Sequence, residues 1–114
     1  MDEDVMVVTM GQIPGYKVKK VLGVVSGLTA RTRGLGGKVV AGFEAMLGGE
    51  VRSFTSEMEK ARVEALQRLK GNAAKMGANA VLRMDIETSE VFRATVLLSA
   101  TGTAVVVEKS AGKE

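Results

Sequence analysis

FTSEMEKARVEALQRLKGNAAKMGANAVLRMDIETS, residues 54–89, changes its hydrophobic period once, and that change decides the fold. From Phe54 the apolar positions run Met58, Ala61, Ala65, Leu69, Ala73 and Met76, steps of three and four that lie along one stripe of a helix, with Leu66 widening it. Glu57, Lys60, Glu64, Gln67, Arg68 and Lys75 fall on the other side, and Glu64 precedes Arg68 by four residues in the favourable order. Ser56 with Glu59 forms a capping box, Ser53 offers a cap one turn earlier, and Gly77 supplies the left-handed stop. After Gly77 the period drops to two. Leu82, Met84, Ile86 and Thr88 alternate with Arg83, Asp85, Glu87 and Ser89, the pattern of a half-buried strand.

Working outward, a turn near Glu90 leads into Arg93 to Val107, a long run apolar on both faces with Gly102 as a bend or bulge. Upstream, Val5–Thr9 and Val18–Ser26 flank the turn signal Pro14-Gly15 and read as a strand pair. Between them and the helix, Arg31 to Gly37 is a glycine-rich loop. Val39, Val40, Phe43, Met46 and Leu47 then recur at helical spacing up to Gly48-Gly49, a shorter second helix. The expected class is α+β: an antiparallel sheet covered by one long amphipathic helix and one short one. With 114 residues there is room for a single domain, residues 1–114, with frayed ends at 1–4 and 110–114.

Composition narrows the function classes. A 46% hydrophobic and 25% charged chain folds rather than remaining disordered. No apolar run is long enough to cross a bilayer and the start is acidic, so a cytoplasmic location without a membrane partner is expected. The absence of Cys and His removes disulfides, thiolate nucleophiles, imidazole bases and the best zinc and copper ligands together. Neither a nucleophile elbow nor a Ser-x-x-Lys arrangement is present, so the chain is read as non-enzymatic and without a resident cofactor. Four aromatic residues, Tyr16, Phe43, Phe54 and Phe92, offer little for stacking bases. Nucleic acid is therefore not the expected partner, despite a net charge of +3.

One helix covers one face of a sheet. Val24-Val25, Val96-Leu97-Leu98 and Val105-Val106-Val107 place aliphatic side chains on both, so the second face calls for either the short helix or another copy of the chain. Self-association is the preferred reading, with Val24, Val25, Leu97 and Val105 as interface candidates and Val63 as a further apolar residue on the outer side of the helix.

Two polar constellations carry chemistry. Asp85 and Glu87 lie two apart on one strand face, where they can offer oxygen ligands to a hard cation or simply form a polar face paired with Arg83. Gly34-Leu35-Gly36-Gly37-Lys38 is not a P-loop, which needs Gly where Thr32 stands and Ser or Thr where Val39 stands. The loop with Arg31, Arg33 and Lys38 can attract anions or, less expectedly, nucleic acid. The seven methionines suit core packing better than a soft-metal site.

Gly23-Val24-Val25-Ser26-Gly27, Gly48-Gly49, Ala61-Arg62, Met76 to Val81 with Asp85-Ile86, and Ser99 to Val105 around Gly102-Thr103-Ala104 follow one another in an order that resembles the YbjQ-like family over residues 11 to 107. That family carries a heavy-metal-binding label. The resemblance implies a dodecin-like α+β fold assembled into a ring of five. The chain departs from the family pattern at Leu28, where an acidic residue is usual, and at Arg83, where glycine is usual. A family site built on that acid lacks it here, and soft metals find no ligands beyond thioethers.

Overall fold

The structure, a computed structural model, describes residues 4–32, 50–92 and 95–110. The elements are β1 (Met6–Val7), β2 (Tyr16–Thr32), α1 (Glu50–Lys75), β3 (Ala80–Phe92) and β4 (Thr95–Lys109), and the strand order is β1-β3-β4-β2. β3–β4 and β4–β2 pair antiparallel, whereas β1 runs parallel to β3 in the register Met6↔Ala80. The sheet is therefore mixed rather than antiparallel throughout. The expected pairing of the first two strands also does not form, since β1 and β2 occupy opposite edges. Pro14-Gly15 does turn the chain, with Tyr16 N–H donating to Ile13 O at 3.0 Å, but the loop carries it across the sheet instead of folding one strand back on the other. The expected second helix lies outside the described residues.

α1 begins at Glu50, so Ser53 and Ser56 are interior positions rather than caps. Its end follows the sequence, because Gly77 adopts φ +92° and Gly77 N–H donates to Ala74 O at 2.9 Å. Ala61, Ala65, Leu69 and Ala73 are wholly buried, and three alanines in four positions bring the helix backbone close to the sheet. The closest approach is at Gly27, where a Cβ would stand 2.3 Å from both Ala65 O and Leu69 N. Around this seam Val25, Val81, Leu98, Ala100 and Ala104 complete the main core. Met76 falls just past the helix end and is exposed.

The strand alternation expected across residues 82–89 breaks once. Register shifts between Leu82 and Asp85, and Arg83 adopts φ +52°. Leu82 therefore packs on the face away from the helix, while Met84 and Ile86 pack toward it. The irregularity sits in β3 and not at Gly102, which pairs regularly with Val25. Gly102 answers the bulge: a Cβ there would lie 2.5 Å from Val81 Cγ1 and 2.9 Å from Leu82 O.

The second face is sealed in part by the protomer itself. Ile13, aided by Met6, Val8 and Tyr16, packs on Ala80, Leu82, Val105 and Val107. Ser110, expected in a frayed tail, donates its N–H to Gly15 O at 2.9 Å and ties the two ends of this cover together. Farther along, the same face of β4 carries Thr103, Thr101 and Ser99 rather than aliphatics. The second face, expected to need cover because aliphatic side chains lie on both sides of the sheet, is thus covered in part within the protomer; among the described residues Val18, Val21, Val24 and Leu28 of β2 remain exposed on it. Among the described residues, no helix is long and apolar enough to cross a membrane.

Candidate functional site

Two surfaces gather polar groups, one on each side of β2. On the helix side, α1 lies chiefly over β2, the edge strand, and its side chains reach the strand's free edge. Arg68 Nη1 donates to Leu28 O at 2.6 Å, and Asn72 Nδ2 donates to Ser26 O at 2.7 Å. One turn back, the buried Thr29 hydroxyl donates to Glu64 Oε1. Arg31 Nη2 lies 3.3 Å from the same oxygen and Arg31 Nε lies 3.8 Å from Glu57 Oε1, while Arg68 Nη2 is 3.4 Å from Glu64 Oε2. Glu57, Glu64, Arg68 and Asn72 are spaced by seven, four and four, which puts them on one helical stripe directly above the strand edge.

Glu64 is the centre of this cluster. The Thr29 hydrogen bond holds its carboxyl below the ordinary value of 4.5 against the opposing effect of burial, and the charges of Arg31 and Arg68 add to the lowering. Beside the cluster runs an open groove of 930 Å³ lined by Ser26, Leu28, Glu64, Gln67, Arg68, Gly71, Asn72, Ala74 and Lys75.

On the other face lies a smaller depression of 370 Å³, lined by Val24, Arg83, Asp85, Glu87, Thr101, Gly102 and Thr103. Thr101 Oγ1 is 3.4 Å from both Ser26 Oγ and Ser99 Oγ, so a short row of hydroxyls crosses the sheet at its floor. One cation, two carboxylates and a set of hydroxyls thus meet on a single open surface. The bulge creates it. Left-handed backbone at Arg83 swings its side chain toward Gly11, whose added Cβ would come within 2.7 Å of the guanidinium, and Arg83 N–H donates to Met10 O at 3.0 Å.

The residues singled out in the sequence are distributed as follows. Asp85 and Glu87 share the depression, but among the described residues no three acidic side chains gather as a metal cluster would require. Arg31 lies next to the last residue of β2, facing α1, and is already engaged by two carboxylates, whereas Arg33 and Lys38 lie outside the described residues. Of the interface candidates, Val24 is 73% exposed and Leu97 is half-buried on the open face. Val25 packs under the helix and Val105 under Ile13, so both are covered within the protomer. Sequence reading missed the Thr29–Glu64–Arg31 cluster, for which periodicity offers no signal because the partners lie 33 to 35 positions apart. Arg83 had one. The glycine that the YbjQ-like pattern places at this position suits left-handed backbone, where a side chain costs free energy.

Comparison with known proteins gives the family and the fold. A family described as "putative heavy-metal-binding" matches residues 5–108. A UPF0145 protein of Picrophilus torridus is 47% identical over 106 residues, covering 93% of this chain and 90% of its own length. Another from Saccharolobus solfataricus is 45% identical and covers 94% of each chain. Among solved structures, a protein of unknown function of the DUF74 family from Pediococcus pentosaceus superposes with a TM-score of 0.63 at 18% identity, over 91% of this chain and 98% of that one, a likeness of fold. With one family matched over nearly its whole length and relatives this similar, the chain belongs to the UPF0145 family, the YbjQ-like proteins.

Proposed function

We propose that the protein is a non-enzymatic, self-assembling module in which copies meet over the exposed side of β2 and a small ligand or ion occupies the neighbouring depression. The observation that carries this reading is the column Val18, Val21, Val24 and Leu28, exposed to 44%, 64%, 73% and 50%. Their cross-strand partners Val107, Val105, Thr103 and Ser99 place all four on one face. Exposed apolar patches of this kind mark association surfaces more often than chance. The ring of five implied by the family resemblance is the expected form. Light scattering at micromolar concentration tests the reading: an assembly should appear as a whole multiple of 12.0 kDa, and a stable 12.0 kDa species would refute it.

The family description raises a heavy metal, and the donor set does not fit one. The chain has no Cys and no His, and soft or borderline ions bind oxygen donors alone weakly. A hard cation at Asp85 and Glu87, with Thr101 and Thr103 close by, suits the chemistry better. Calorimetry with calcium or magnesium on the wild type and Asp85→Asn tests this part, and equal heats for the two proteins would remove it.

A further inference from the structure

We propose that the depression beside Arg83 binds a basic amino acid, whose carboxylate and two cationic groups meet Arg83, Asp85 and Glu87 in turn. The inference rests on the reading that this depression takes a small ligand, and it names the chemistry of that ligand.

Along β3 the depression presents one cation and then two carboxylates, Arg83, Asp85 and Glu87, all exposed. Among the described residues none of the three is held in an ion pair, whereas Lys17, Arg31, Glu64 and Arg68 all are. Arg83 is also held in an unusual conformation. Its backbone is left-handed at φ +52°, which costs free energy at any residue with a side chain, and outliers of this kind gather at binding sites. The segment before Gly11 pins it there: Arg83 N–H donates to Met10 O and Met84 N–H to Val8 O, both at 3.0 Å. Gly11 gives the guanidinium its seat, since an added Cβ would lie 2.7 Å from Nη2, 2.9 Å from Cζ and 3.0 Å from Nε. A planar donor fork therefore stands at one end of the depression, unpaired with the two carboxylates that follow it.

A bare cation suits this arrangement poorly, because it gains two carboxylates and meets the repulsion of the guanidinium. A ligand that brings its own carboxylate turns Arg83 into a partner, with two parallel N–H···O bonds. The order of charges then selects the rest. Arg83, Asp85 and Glu87 read plus, minus, minus along the strand, and a basic amino acid reads minus, plus, plus from its carboxylate through its α-ammonium to its side-chain cation. A strand rise of about 3.4 Å per residue sets Asp85 and Glu87 about 7 Å apart. The two nitrogens of an extended lysine, six bonds from each other, span about the same distance. Thr101 opposite Asp85 and Ser99 opposite Glu87 add hydroxyls that can donate or accept, and Val24 gives the connecting methylenes an apolar wall. A neutral amino acid would leave Glu87 unmatched.

Calorimetry on the full chain with L-lysine as the probe, taken to about 10 mM so that a millimolar constant is captured, tests the assignment. Cadaverine, which lacks the carboxylate, and norleucine, which lacks the side-chain cation, are run beside it. Arg83→Gly removes the fork and installs the residue best suited to left-handed backbone, so the fold is retained; Glu87→Gln is the second variant, and circular dichroism checks both. The expected result is saturable lysine binding, at least tenfold weaker for either variant and at least tenfold tighter than norleucine or cadaverine on the wild type. Cadaverine should bind Arg83→Gly no more weakly than the wild type. Lysine that gives no saturable heat, or that binds Arg83→Gly as well as the wild type, would overturn the assignment. Saturable heat with magnesium or calcium but not with lysine would also overturn it, while leaving the depression as an ion site. A wild type that binds lysine as expected yet scatters light as a monomer would overturn self-assembly and uphold this inference, since all three charged residues belong to one protomer.

Discussion

Gly27→Ala is the smallest change that tests how the helix is seated. The added methyl carbon would stand 2.3 Å from Ala65 O, 2.3 Å from Leu69 N and 2.9 Å from the Arg68 carbonyl carbon, all of them helix backbone. No rotamer change relieves such a contact, so α1 must lift away from β2. Overpacking a core typically costs about 1–3 kcal/mol, and a clash between two backbones belongs at the upper end. At about 4 °C per kcal/mol for a domain of this size, the melting temperature should fall by roughly 12 °C. The lift would also lengthen the hydrogen bonds from Arg68 and Asn72 to the strand edge, so this variant should aggregate more readily than its loss of stability alone explains. The assay is thermal unfolding by circular dichroism beside Ser26→Ala, which alters the same strand on its other face. A Gly27→Ala protein melting within about 2 °C of the wild type would refute the close seating of helix on strand.

Three further outcomes follow from named contacts. Because folding lowers the Glu64 pKa, the Glu64 carboxylate contributes stability that is complete above its unfolded value of 4.5 and is lost as pH falls through the depressed folded value. Glu64→Gln should therefore be less stable than the wild type at neutral pH, with urea midpoints that converge as pH drops below 4.5; a gap constant with pH would count against it. Asn79 spans the end of β4, donating from Nδ2 to Val107 O at 2.9 Å and accepting from Val107 N–H at Oδ1 at 2.8 Å. Asn79→Ala should cost about 1–3 kcal/mol in urea unfolding, since both main-chain groups lose a partner, and an unchanged midpoint would show that water replaces the side chain. Finally, zinc or cadmium in modest excess should leave the melting temperature unchanged, because the chain has neither thiol nor imidazole, and a clear upward shift would reveal a site that oxygen donors or thioethers supply.

The helix was legible because its alanines repeat at helical spacing and because a buried stripe leaves a direct mark on composition; Ala61, Ala65, Leu69 and Ala73 are all wholly buried. Its start was not, since Ser53 and Ser56 are good caps that the fold leaves unused, and helix ends carry less free energy than helix packing. The two long strands of the second half were legible for the same reason as the helix. The placement of β1 was not, because a two-residue strand carries too little pattern to choose between a hairpin with β2 and a parallel pairing with β3. The bulge at Arg83 moved Leu82 to the other face, and only one letter hinted at it. The second face was misjudged for a physical reason. Periodicity reports that an aliphatic residue wants cover but not which segment provides it, and Ile13 with its neighbours covers Val105 from within the protomer. The pair Asp85 and Glu87, with Arg83 beside them, was visible as strand neighbours, while Thr101 and Thr103 joined them only through strand pairing between β3 and β4.

Self-assembly through the β2 face is the claim on which the functional reading stands, and sedimentation velocity on the untagged protein from low to high micromolar concentration tests it most directly. The predicted result is a single sharp boundary for a closed oligomer of 12.0 kDa protomers that persists on dilution. A boundary that sediments as one protomer across the whole range would contradict it.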